Sequence, residues 1–122
     1  MTTETTKPTV RPEIVVLCGS TRFTDAFRRE NLRLTLEGKI VLSVGCDTRS
    51  DADLAAAGEF GPGGPTEALK QRLDWLHMRK IDLADRAHIL NVGGYVGEST
   101  AQELTYARGL GKAVTFLEPV IA

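Results

Sequence analysis

Cysteine is scarce in this chain. Two thiols among 122 residues build no disulfide scaffold. Histidine is equally rare, and neither the two histidines nor the two cysteines stand at metal-ligand spacing. No metal site is therefore expected. An excess of charge of one sign is lacking too. Fifteen basic against sixteen acidic residues leave a net charge of −1, without the basic surplus that sequence-independent nucleic-acid binding needs. No apolar run approaches the ~18 residues of a membrane span. The first residues, MTTETTKPTVRPE, contain no apolar segment of a signal peptide. A cytoplasmic protein is the expectation, with neither nucleic-acid polymer nor membrane as partner.

What is present is enough apolar material for one core. A hydrophobic fraction of 42% excludes a disordered chain, and 122 residues is the size of one compact domain. Residues 1–12 hold five threonines and two prolines and read as a flexible tail. Residues 13–122 read as a single domain. Ile14-Val15-Val16-Leu17-Cys18 is a short apolar run stopped by Gly19, as a strand buried on both faces would be. Ser20 and Thr21 follow as helix N-cap candidates. Phe23, Phe27 and Leu34 recur near helical spacing up to Gly38. Further strands are expected over 39–44, 87–92 and 112–117. Leu69, Leu73 and Leu76 mark one helix before the third strand, and residues 100–110 mark another after it.

Strands alternating with helices predict an α/β fold. It would be a small doubly wound, Rossmann-like parallel sheet of four to five strands, ordered 2-1-3-4, with helices on both faces. Such sheets bind ligands outside the carboxyl ends of their strands, where the strand order reverses. Gly19-Ser20-Thr21-Arg22 falls there. Its amides, hydroxyls and guanidinium suit a phosphate; the alternative is a capped helix with a surface arginine. Cys18 and Arg22 stand too close in sequence for the phosphate-wrapping loop of a tyrosine phosphatase, so Cys18 reads as a small buried hydrophobe, as does Cys46. Gly93-Gly94-Tyr95-Val96-Gly97-Glu98-Ser99 is a second candidate loop. Its glycines let backbone approach a ligand, but it is not the dinucleotide fingerprint. Glu103 has two readings. Thr100-x-x-Glu103 fits a capping box, in which the glutamate only secures the helix end. The other reading is a carboxylate nucleophile beside the glycine loop. Asp47, Asp74, His77, Asp82, Asp85 and His88 complete the acidic and imidazole set.

Taken in order, these residues resemble the nucleoside 2-deoxyribosyltransferase superfamily, and its nucleoside 5′-monophosphate N-glycosidase branch in particular. Leu17-Cys18-Gly19-Ser20-Thr21-Arg22, Ala84-Asp85, the glycine loop before Gln102-Glu103-Leu104, and Gly111-Lys112 carry the likeness from residue 14 to residue 118. It implies a nucleophilic Glu103 and a phosphate held by Gly19, Ser20 and Arg22. It implies hydrolysis or transfer at the anomeric carbon of a nucleotide, without a cofactor. Asp47, His77 and Asp85 are the candidates to protonate the leaving base, and Tyr95 to stack on it. This sequence has Gly97 where that family carries a sugar-contacting serine or aspartate, so Glu98 or Ser99 would substitute. The resemblance also implies a homodimer or larger assembly. Leu69, Leu73, Trp75 and Leu76 cannot all face one small sheet, which agrees with contact through the long helix. The alternative function is a nucleotide-binding or signalling module without catalysis.

Overall fold

The computed structural model describes residues 10–44 and 67–120. Within them the chain runs β1 (Ile14–Cys18), α1 (Thr24–Leu36), β2 (Ile40–Leu42), α2 (Glu67–Leu83), β3 (Arg86–Ile89), α3 (Glu98–Gly109) and β4 (Ala113–Phe116). All strand pairings are parallel and the order is β2-β1-β3-β4. This is the predicted doubly wound α/β fold. The order reverses between β1 and β3, where Val15 to Cys18 lie in register with Arg86 to Ile89.

β1 is central, and its alternation assigns the two faces. Val15 and Leu17 pack with Ala26, Phe27 and Leu34 of α1. Val16 and Cys18 point the other way, into a core with Ile81, Ala84, Ala87, Ile89 and Ala107, which brings α2 and α3 onto that face. Leu34 and Ile81 are fully excluded from solvent, one on each face. Burial of such a side chain stabilises the fold by roughly 1.5–3 kcal/mol.

Two local expectations are corrected, and a third is met. The helix after β1 begins at Thr24, with Phe23 as the capping residue and no side-chain cap. Ser20 and Thr21 do not cap it, because the Ser20 hydroxyl already accepts from the Arg22 amide at 3.3 Å. On α2 the leucines are not all covered by the sheet, as their number led one to expect. Leu73 and Leu76 are exposed, and His77 and Ile81 are the buried residues. α3 starts at Glu98, two residues before the expected start, with Gly97 at its cap.

Candidate functional site

The carboxyl ends of β1 and β3 carry both candidate loops. After β1 the chain turns at once, and the Phe23 amide donates to the Ser20 carbonyl at 3.0 Å. Gly19 is required by contact: a Cβ there would stand 3.0 Å from Cβ of Leu90, just beyond β3. The turn leaves the first amides of α1 without a side-chain cap, an arrangement suited to an anion. Arg22 Nε donates to the Ser20 hydroxyl at 3.1 Å. Its guanidinium lies over the Tyr95 ring, 4.6 Å from the centroid. Phe23 meets the same ring edge-on at 5.9 Å. Arg22 forms no ion pair among the described residues, so its charge is free for a ligand. Thr21 is half-buried within this turn.

The second loop meets the first through Tyr95. A 3-10 turn over Val92–Gly94 places Gly93 and Gly94 at φ of 64° and 82°, values that favour glycine. Two residues outside the sequence-based candidates hold this loop. The Asn91 side chain accepts from the Glu118 amide at 2.9 Å and donates to its carbonyl at 3.0 Å. The Glu118 carboxylate in turn accepts from the Gly93 amide at 3.0 Å. No local pattern in the sequence marks this pair; parallel pairing of β3 with β4 brings them together. A Cβ at Gly97 would lie 2.9 Å from the Tyr95 hydroxyl, so the tyrosine fills that volume. Glu98 and Ser99 form the exposed first turn of α3.

Glu103 lies in the second turn of α3 and is buried. The capping-box reading fails on geometry. With Gly97 as cap, the third helical position is Thr100, so Glu103 is too far along the helix to reach the cap amide. Its carboxylate instead faces two other buried groups. His77 Nε2 is 3.7 Å from Glu103 Oε1 and 3.5 Å from Cys18 Sγ. The trio's ligating atoms all lie within 4.8 Å of one another. Burial, reinforced by the charge of Asp74, lifts the Glu103 pKa from 4.5 to about 7. The dipole of α3 does not prevent this, because its influence fades beyond the first turn. Burial and the Lys80 charge push His77 down from 6.5 to about 4, against the pull of the nearby Leu17 carbonyl. Burial and the Glu103 carboxylate raise the Cys18 thiol well above its ordinary value. Cys18 is thus a neutral thiol, and the reading of a small buried residue holds for its burial but misses its neighbours. Asp74, named with His77 in the acidic and imidazole set, acts on this group by its charge from an exposed position. Its spacing of three from His77 on one helix is the signal that joins them.

Other candidates lie elsewhere. Asp85 stands at the opposite, amino end of β3. It pairs with Arg11 at 2.6 Å and accepts the Ile14 amide at 2.8 Å. The arginine holds its carboxyl far below the usual range. Asp85 is therefore a link between Arg11, the start of β1 and β3, and is removed from the catalytic candidates. Asp82 pairs with Arg79 and accepts from the Tyr106 hydroxyl. His88 is buried on the α1 face between Glu30 and Thr115, 2.8 Å from each. Asp47 and Cys46 fall outside the described residues. The Cys18–His77–Glu103 trio is a donor set able to hold a metal ion, contrary to the expectation from spacing alone.

Comparison of the chain with protein-family models, with curated proteins and with solved structures returned no match.

Proposed function

We propose that the chain cleaves the N-glycosidic bond of a nucleoside 5′-monophosphate, with Glu103 as nucleophile. The observation that carries this is Glu103 itself. It is a carboxylate buried beside the carboxyl end of β1, it caps nothing, and no charged partner among the described residues neutralises it. A group kept under such tension without a structural role suits chemistry. The uncapped start of α1 with Arg22 supports a phosphate subsite four residues beyond Cys18, and Tyr95 offers a ring for the base. The order of motifs resembling nucleotide N-glycosidases adds to this.

In the ionised form, Glu103 attacks C1′. A carbon–oxygen bond forms, the bond to the base breaks, and the base leaves with the electron pair and takes up a proton. Water then opens the glycosyl ester, returns the carboxylate and releases the sugar 5′-phosphate; attack by a second base gives transfer instead. His77 is neutral at physiological pH, so it serves as a hydrogen-bonding group rather than a cation. Neither step calls on a metal or an organic cofactor.

The test is incubation with a panel of nucleoside 5′-monophosphates and chromatography for free base. Release by the parent and a loss of several orders of magnitude in Glu103→Gln are expected. Nucleotide binding without release would make the chain a binding module. A homodimer through α2 belongs to the same proposal, since Trp75 and Leu83 are 60% and 66% exposed on that helix. Sedimentation showing only ~13 kDa particles at micromolar concentration would refute the dimer.

A further inference from the structure

Three buried side chains converge from three elements: Cys18 from the end of β1, His77 from α2 and Glu103 from α3. One supplies sulfur, one nitrogen and one oxygen. They are in mutual contact, and among the described residues the one hydrogen bond between side chains that runs from the imidazole goes to the sulfur. His77 Nε2 meets the sulfur at 3.5 Å, while the Glu103 carboxylate at 3.7 Å is too far for a good hydrogen bond between nitrogen and oxygen. His77 Nδ1 has no hydrogen-bond partner among the described residues. That nitrogen is not the one facing the trio; Nε2 is.

Three donors of different elements within 4.8 Å of one another are close enough to share one cation, and two of their separations can be set against its geometry. In a tetrahedral zinc centre, with Zn–S of about 2.3 Å and Zn–N of about 2.0 Å, sulfur and nitrogen are about 3.5 Å apart, and two light donors about 3.3 Å. The observed 3.5 Å matches the first, and a shift of the Glu103 carboxylate by a few tenths of an ångström would meet the second. We propose that Cys18, His77 and Glu103 form a site for a thiophilic divalent cation, zinc foremost, with its fourth position left to water or a ligand. Thiolate and imidazole donors select zinc over magnesium or calcium. On binding, the Cys18 S–H bond breaks, the sulfur keeps the electron pair and joins the metal, and the proton passes to solvent. Occupancy therefore strengthens with rising pH. The ion would hold the oxygen that the proposed glycosidase uses to attack C1′, so zinc is an inhibitor of that reaction and not its cofactor. Metal binding is measurable without any nucleotide, which separates this inference from the proposed activity.

The experiment titrates untagged, reduced protein with Co²⁺ and records absorption. One equivalent should produce a thiolate-to-cobalt charge-transfer band in the near ultraviolet, with visible bands of four-coordinate intensity. Zn²⁺ should bleach both and Mg²⁺ neither. Cys18→Ser should lose the near-ultraviolet band, Cys46→Ser should keep it, and His77→Gln should weaken cobalt binding at least tenfold. Should the variants fail to fold, the parent alone decides: stoichiometric Zn²⁺ should raise its thermal midpoint and Mg²⁺ should not. No charge-transfer band, a band that follows Cys46, undiminished affinity in His77→Gln, or an unmoved midpoint each overturns the site. None of these would touch base release through Glu103. Absent base release with an intact cobalt spectrum would overturn the activity and leave the site standing.

Discussion

Each face of the sheet buries a glutamate beside a histidine, and the two pairs behave differently. On the α1 face, Glu30 and His88 meet at 2.8 Å. Arg33 donates to the same carboxylate at 2.8 Å, and Thr115 meets the other imidazole nitrogen at 2.8 Å. Arg33 above all holds Glu30 below its ordinary pKa, so its charge is secure. On the α2–α3 face, Glu103 and His77 stand 3.7 Å apart, and among the described residues no arginine pairs with the carboxylate and one imidazole nitrogen has no partner. There Glu103 rises to about 7 and His77 falls to about 4, each away from its charged form. The same two residue types thus make a completed structural network on one face and an uncompleted site on the other. The difference lies in the partners supplied, not in burial alone.

The comparison predicts its own largest effect. Glu103→Gln should lower base release by several orders of magnitude while the chain stays folded, measured by chromatography and circular dichroism. Glu30→Ala should do the reverse. Losing the carboxylate strands His88 and frees Arg33, at a cost of about 2–3 kcal/mol in denaturant unfolding. Residual base release, normalised to folded protein, should persist. If both variants lost only stability, the two faces would be equivalent and the site would have to be sought elsewhere.

The pH dependence separates the pairs next. Glu103 ionises less readily folded than unfolded, so its protonated form stabilises the fold below pH 4.5, and that benefit is lost as pH rises through about 7. Glutamine at 103 does not titrate. Glu103→Gln should therefore gain on the parent between pH 4.5 and pH 8, by about 3 kcal/mol, as the shift implies. Base release by the parent should climb over the same interval, since only the ionised carboxylate attacks. Glu30 has the opposite sign: its contribution is present above its unfolded pKa and fades as pH falls through the depressed folded value.

Smaller effects sharpen the map. Arg22→Ala should weaken monophosphate binding by about 1.5–3 kcal/mol, the size of a lost charge-assisted bond, with nucleoside binding unchanged in calorimetry. Equal losses for both ligands would make Arg22 merely a partner of Tyr95. Asp85→Asn should show the least: a slight fall in thermal midpoint from the exposed Arg11 contact, and unchanged base release. Reduced release would return Asp85 to the catalytic group.

Local pattern determined a good deal. Apolar runs at 14–18 and at the later strands, glycines behind them and helical spacing between them lead to a parallel sheet ordered 2-1-3-4. The connection rules for such sheets leave few alternatives. They also place the Gly19–Arg22 turn and the glycine loop at the edge where strand order reverses. Periodicity did not identify the buried face of α2. Leucines at 73 and 76 mark the helix, yet His77 and Ile81 are what the sheet covers. Nor did it distinguish a cap from a nucleophile, because a two-residue shift in where α3 begins changes what Glu103 can reach. Asp85 and His77 looked alike as candidates, and only the sheet put one at its amino edge and the other beneath its carboxyl edge. The sequence by itself thus determined the order of elements and the loops that can meet a ligand, because these follow from hydrophobic period and chain connection. Tertiary structure alone decided that Cys18, His77 and Glu103 converge while Glu30 and His88 are satisfied. Which partners a buried side chain finds depends on residues far away in the chain, and no local pattern records them.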